Sequence, residues 1–262
     1  MRVDVNAFVG HYPWRQVPGG SPTALLQAMD RTGIDRAWIS NLAAIFWKDP
    51  ARGNAVVREC AAAESRFRPV FAVHPGLPGW ETIVAEAAKA GAPCLRADPT
   101  QYGLAPAGKE MTGLAAKSAE AGLPLLMAVR LEDIRQRHPG DHAGELDAAS
   151  LRALIRSHPR VRLIITHADR ELIEQVHFGS TPDEASRILW DISWIWGPPE
   201  DHLALLLETV GVERFTFGTG MPLRIPENSV AKLDLLELSK EDRAKLESTN
   251  LGQFMKAPIA NP

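Results

Sequence analysis

Arg2-Val3-Asp4-Val5-Asn6-Ala7-Phe8, running into Val9-Gly10-His11-Tyr12-Pro13-Trp14-Arg15, reads as a β-strand that opens into a loop. Seven further apolar runs of similar length follow, at residues 36–41, 68–74, 94–98, 124–130, 161–167, 189–194 and 215–220. Amphipathic stretches separate them, and this alternation implies parallel strands joined by helical crossovers. Ser21-Pro22 is a cap followed by a first-turn proline, so it predicts a helix over 21–32 that stops at Gly33. The same punctuation predicts helices over 79–90, 108–121, 149–158, 201–210 and 239–255; the last opens with Ser239 three residues before Asp242, close to a capping box. A doubly wound open sheet would share this pattern. Eight strand-plus-helix repeats in 262 residues favour closure into a single-domain α/β (β/α)8 TIM-like barrel. The barrel is expected over residues 1–256, with 257–262 as a tail.

Composition narrows the functional classes. With 45% hydrophobic residues the chain can bury a sizeable core. Its 29 basic and 32 acidic residues give a net charge of -3 without a long like-charge block, which argues against a nucleic-acid surface. No apolar run approaches the ~18 residues needed to span a bilayer, so no membrane partner is expected. Cys60 and Cys94 are the only cysteines and are far apart, which gives neither a disulfide framework nor a cysteine zinc site and suits a reducing cytoplasm. The expected partner is a small anionic organic substrate; homo-oligomerisation is left open.

Several anchors resemble the amidohydrolase-related family of the amidohydrolase superfamily. Asp4, Asn6, Phe8 and Gly10 occupy the frame of its first-strand signature, Asp-x-His-x-His-x-Gly. Gly33-Ile34-Asp35-Arg36-Ala37 is similar to its helix-to-strand turn, Arg66-Phe67-Arg68-Pro69-Val70 to its entry to the third strand, and His74-Pro75-Gly76-Leu77-Pro78-Gly79-Trp80 to the loop beyond. Phe217-Gly218-Thr219-Gly220-Met221-Pro222 resembles the family's Phe-Gly-Ser-Asp-x-Pro on the eighth strand. The resemblance implies the same barrel. It also implies metal ligands on strands one, five and eight, and here those positions hold Asn6, Phe8, Ala128 and Gly220. A phenyl, a methyl and a hydrogen cannot coordinate an ion, and an amide does so weakly, so no metal and no other cofactor is expected. The sixth-strand histidine of the family is matched by His167 at the end of Leu163-Ile164-Ile165-Thr166.

Strand ends carry the chemistry in barrel enzymes. Here they offer Asn6, Arg15, His74, Arg96, Arg130 and Thr219 as substrate-binding candidates, and His167 with Asp191 as catalytic candidates. Planar guanidinium forks grip carboxylates, which favours a small organic anion; local pairs such as Arg96 with Asp98 and Arg130 with Asp133 would instead be structural. Histidine is the natural proton carrier near neutrality, with Asp191 either orienting it or holding a neighbouring strand. Trp190, Trp194 and Trp196 are candidates to line a pocket for a flat substrate, but Trp190, Ile192 and Trp194 fall on one face of an extended strand, which core packing explains adequately. The expected activity is metal-independent hydrolysis of a small carboxylated ester, lactone or related carbonyl compound. The alternatives are a non-catalytic barrel that binds an anionic metabolite or a partner protein and, third, a decarboxylase.

Overall fold

A computed structural model describes residues 1–256, so the expected tail at 257–262 lies outside the described residues. Nine strand segments run in chain order: β1 (Val3–Val9), β2 (Arg36–Asn41), β3 (Phe67–Pro69), β4 (Phe71–Ala72), β5 (Leu95–Arg96), β6 (Leu125–Ala128), β7 (Leu163–Thr166), β8 (Ile188–Asp191) and β9 (Phe215–Thr216). All ladders are parallel, in the orders β1-β2-β3 and β4 through β9. β3 and β4 are one barrel strand interrupted at Val70. The cause is local: buried Asn54 accepts from the Ala72 N–H and donates to the Ala72 carbonyl, both at 2.8 Å, so this backbone leaves the ladder with β2.

Closure distinguishes a barrel from an open sheet. Val5 N–H donates to the Phe217 carbonyl at 3.2 Å, Gly220 N–H to Asn6 at 2.8 Å and Phe8 N–H to Met221 at 2.8 Å, which joins the last strand to the first. The eight expected strands are all present, and the doubly wound alternative is excluded by this seam.

Eleven helical segments surround the strands: α1 (Pro22–Thr32), α2 (Ala51–Ala63), α3 (Trp80–Lys89), α4 (Lys109–Glu120), α5 (Ala148–Arg156), α6 (Arg170–Phe178), α7 (Pro182–Ser186), α8 (His202–Leu206), α9 (Pro226–Leu235), α10 (Lys240–Ala244) and α11 (Asn250–Lys256). Ser21 caps α1 by accepting from Ala24 N–H, as its sequence implies. The expected helix at 239–255 is α10 and α11 joined through a wider turn at Lys245–Thr249. Helices α2, α6, α7 and α9 were not anticipated, and α9 bears on the site.

The interior has three apolar layers. The largest lies between strands and helices. A second takes Val3, Val5, Trp38, Val70, Cys94, Leu126, Ile164 and Leu189 from successive strands, and Leu251 and Phe254 of α11 cover it. The third, Phe8, Tyr12, Leu42, Ile45, Ala128 and Leu131, lies at the C-terminal ends of the strands with Trp14, Phe46 and Leu223 against it. Phe8 and Ala128, which the family resemblance places at ligand positions, therefore belong to an apolar cap.

Candidate active site

Beneath that cap lies a buried polar cluster. The Asn6 side chain donates from Nδ2 both to His167 Nε2, at 2.9 Å, and to Asp191 Oδ2, at 3.1 Å. His167 Nδ1 meets the Arg130 carbonyl at 2.7 Å, and the His167 N–H donates to Asp191 Oδ1 at 3.1 Å. A carbonyl only accepts, so the imidazole carries its proton on Nδ1 and Nε2 is the acceptor. Ser193 Oγ donates to Asp191, and the Asp4 carboxylate accepts from Asn6 N–H, Thr219 N–H and Thr219 Oγ1. Asn6, Asp4, His167, Asp191 and Thr219 are each at most 1% exposed.

Burial sets the charges. It holds His167 well below the usual histidine range, with Arg224 and then Arg96 and Arg130 acting in the same direction against the Arg130 carbonyl. It raises Asp191, opposed by its hydrogen bonds from Ser193, His167 and Asn6, and lifts Asp4 to about 6. The imidazole is therefore neutral, and its one accepting lone pair is already engaged. His167 also has a left-handed backbone, φ 59, a sparsely populated conformation that its three hydrogen bonds hold in place.

The expected arginine cluster is divided. Arg96 pairs with Asp98 at 2.9 Å, as the local alternative had it. Arg130 pairs with Asp169 and Glu145, both at 2.8 Å, while Asp133 pairs with Arg135; the expected Arg130–Asp133 pair is not formed. Arg15 reaches Glu132 at the rim, 2.5 Å away. His74 stacks on Tyr102 at 4.2 Å and faces a different cavity, with Lys48 and Trp80.

An open cavity of about 560 Å³ lies to one side of the barrel axis, between the loop after β8 and helix α9. Ser193, Trp194, Thr219, Arg224, Asn228 and Lys232 contribute to its wall. β8 ends at Asp191, so Trp194 escapes strand alternation and faces this cavity instead of the core, contrary to expectation. The Arg224 guanidinium lies 3.6 Å from the Trp194 ring centroid. Lys232 Nζ donates to the Ile192 and Ser193 carbonyls, each at 2.9 Å, which engages two of its three protons. Neither cation forms an ion pair with a described carboxylate. Burial lowers Arg224 to about 10 and Lys232 to about 8, in each case against the attraction of Asp191. Of the acids on the wall, Asp133 is held by Arg135 and Glu200 is exposed. Sequence reading missed both Arg224 and Lys232. Arg224 lies four residues past Gly220 in a recognised motif, and Lys232 lies on an unanticipated helix.

The Amidohydro_2 amidohydrolase model matches residues 12–250. The chain belongs to the amidohydrolase family. It is thus assigned to a family of enzymes, and no curated protein matches its sequence. Among solved structures it is similar to 2,6-dihydroxybenzoate decarboxylase from Rhizobium, at 16% identity and a TM-score of 0.71 over 98% of this chain and 99% of that one. It is also similar to 5-carboxyvanillate decarboxylase from Novosphingobium aromaticivorans, complexed with manganese and 4-hydroxy-3-methoxy-5-nitrobenzoic acid: 14% identity, TM-score 0.75, 98% and 96% covered. Dihydroxybenzoic acid decarboxylase from Polaromonas sp. JS666, with manganese and 2-nitroresorcinol, matches at 13% identity and a TM-score of 0.71 over 97% and 96%. These structures support the (β/α)8 fold.

They also correct the expected function. Most of the neighbours matched over nearly their whole length are decarboxylases of aromatic acids, which overturns the ester- or lactone-hydrolase reading. Geometry supplies a physical reason. A hydrolase needs a base or a metal to activate water, and His167 Nε2 already accepts from Asn6. The residues do not fit the manganese of those neighbours either. No group of three or more His, Cys, Asp or Glu among the described residues could hold an ion. At Gly220, φ +74, a Cβ would stand 2.7 Å from His167 Nε2, so a carboxylate side chain at this position would collide with the imidazole.

Proposed function

We propose that the protein decarboxylates a small hydroxylated aromatic acid in the cavity beside the barrel axis. The observation that carries this reading is a pair of cations without carboxylate partners among the described residues on the wall of one cavity, Arg224 over the Trp194 indole and Lys232 on the Ile192 and Ser193 carbonyls. Arg224 would hold the substrate carboxylate, since a guanidinium presents a fork that matches it. Lys232 would act as the acid: two protons are held by carbonyls, and the third is available to the cavity. In the reaction Lys232 gives its proton to the ring carbon that bears the carboxylate. The C–C pair then returns to the ring and CO2 departs, leaving a neutral amine that solvent reprotonates. A ring hydroxyl supplies the electron density that this protonation needs. Asp191 acts through Lys232, since its charge favours the ammonium.

The test is the change in ultraviolet absorbance as hydroxybenzoate becomes phenol, together with release of CO2, for a panel of mono- and dihydroxybenzoates, with and without added manganese and with chelator. With an acid near pH 8, turnover is expected to fall as pH rises through about 8. Lys232→Arg should move that limb upward and Lys232→Met should abolish turnover. Absence of turnover across the panel, or turnover unaltered in Lys232→Met, would overturn the proposal.

A further inference from the structure

Arg96 is completely buried, yet only its Nε is used. Nε donates to Asp98 Oδ2 at 2.9 Å, whereas Nη1 and Nη2 have no partner among the described residues. One face of the guanidinium lies over the Phe8 ring, 4.5 Å from its centroid. Unmet donors on a buried charge are strongly unfavourable, and native interiors satisfy them. The two Nη groups form the open end of a fork, whose spacing matches the two oxygens of a planar oxyanion.

Two neighbours strengthen the assignment. Tyr102, in the turn after β5, has a buried hydroxyl that also lacks a partner, and it is close enough to Arg96 to feel its charge. The charge of Arg96 also reaches His167 in the central cluster. Phe8 and the apolar cap exclude water and thereby strengthen any charge-assisted bond made there.

We propose that Arg96 forms an enclosed subsite at the barrel axis for a planar oxyanion of formate or bicarbonate size, bound end-on through Nη1 and Nη2. The subsite is separate from the Arg224–Lys232 cavity, and binding is measured without turnover, so it stands or falls independently of the reaction proposed above. The anion can be a free one or the carboxylate end of an organic acid.

Binding of 13C-formate and 13C-bicarbonate to the whole protein by NMR line broadening, with calorimetry, tests it directly. Wild type is expected to bind formate, bicarbonate and nitrate saturably and to discriminate against sulfate and chloride. Arg96→Lys retains a charge beside Asp98 but loses the fork, and should weaken formate by about tenfold or more. Tyr102→Phe removes only a hydroxyl and should weaken it less. Displacement of formate by a hydroxybenzoate would identify the ligand as the end of an organic acid, and simultaneous binding would identify a free anion; both uphold the subsite. Failure of wild type to bind any planar oxyanion, or equal formate affinity in a folded Arg96→Lys, would overturn it.

Discussion

Gly220→Ala probes the closest approach in the candidate site. Gly220 has φ +74, and its missing Cβ would lie 2.7 Å from His167 Nε2 and 3.1 Å from Arg224 Cδ. A left-handed non-glycine residue costs ~1–2 kcal/mol, and forcing a methyl into packed surroundings adds typically ~1–3 kcal/mol. The Arg224 methylene can move. The imidazole cannot move freely, because Asn6 donates to Nε2, the Arg130 carbonyl holds Nδ1 and Asp191 holds the backbone N–H. Gly220→Ala is therefore expected to lose ~2–5 kcal/mol, a drop in the urea midpoint on the order of 1 M if the slope is roughly 3 kcal/mol/M. Gly91→Ala is the control: it has φ +65 with nothing within 4 Å of its Cβ, so it should show only the backbone cost. Urea unfolding of both variants, followed by far-UV dichroism, separates the two contributions. If Gly220→Ala is no less stable than Gly91→Ala, the crowding at His167 is absent and position 220 has room for a side chain beside the imidazole.

Three other expectations follow from the same geometry. Asp4 is raised from 3.8 to about 6, so its contribution to stability is present in full below pH 3.8 and lost as pH rises through about 6, by ~3 kcal/mol; the wild-type-minus-Asp4→Asn difference in unfolding free energy should fall across this window, and a flat difference would refute the shift. Lys232 is lowered from 10.5 to about 8, so the unfolded chain holds the extra proton between these values and stability should rise with pH across them; guanidinium denaturation should find this rise in wild type and not in Lys232→Met. Arg224→Gln removes a charge that depresses His167 and the proposed carboxylate anchor, so the imidazole should titrate at higher pH by NMR while KM for a hydroxybenzoate rises about tenfold or more with a smaller change in kcat. An unmoved imidazole would place Arg224 away from His167.

The barrel was legible because strand and helix periodicities are local, and the caps at Ser21 and Ser239 mark boundaries directly. Ladder lengths were not: the run expected over 94–98 pairs only through Leu95 and Arg96, since how far a strand pairs depends on where the neighbouring backbones lie. Asn6, Phe8 and Gly220 were singled out from motifs on the first and last strands, and Ala128 from a weaker match on the fifth. What they became could not be read there, because Phe8 and Ala128 joined a cap built with Leu42, Ile45 and Leu131 from distant segments.

Sequence by itself determined the alternating α/β pattern and the family resemblance, both properties of residue identity and spacing. Only the tertiary structure decided which cations remain free. Arg15 and Arg130 looked equivalent to Arg224 and Lys232 as formal charges, yet the first two found carboxylates at 2.5–2.8 Å, the last two found an indole and two carbonyls, and Arg96 found a carboxylate through Nε alone. Whether a charge is spent or available depends on what the fold brings within a few ångströms, and Coulomb attraction at that range overrides any preference the chain carries locally.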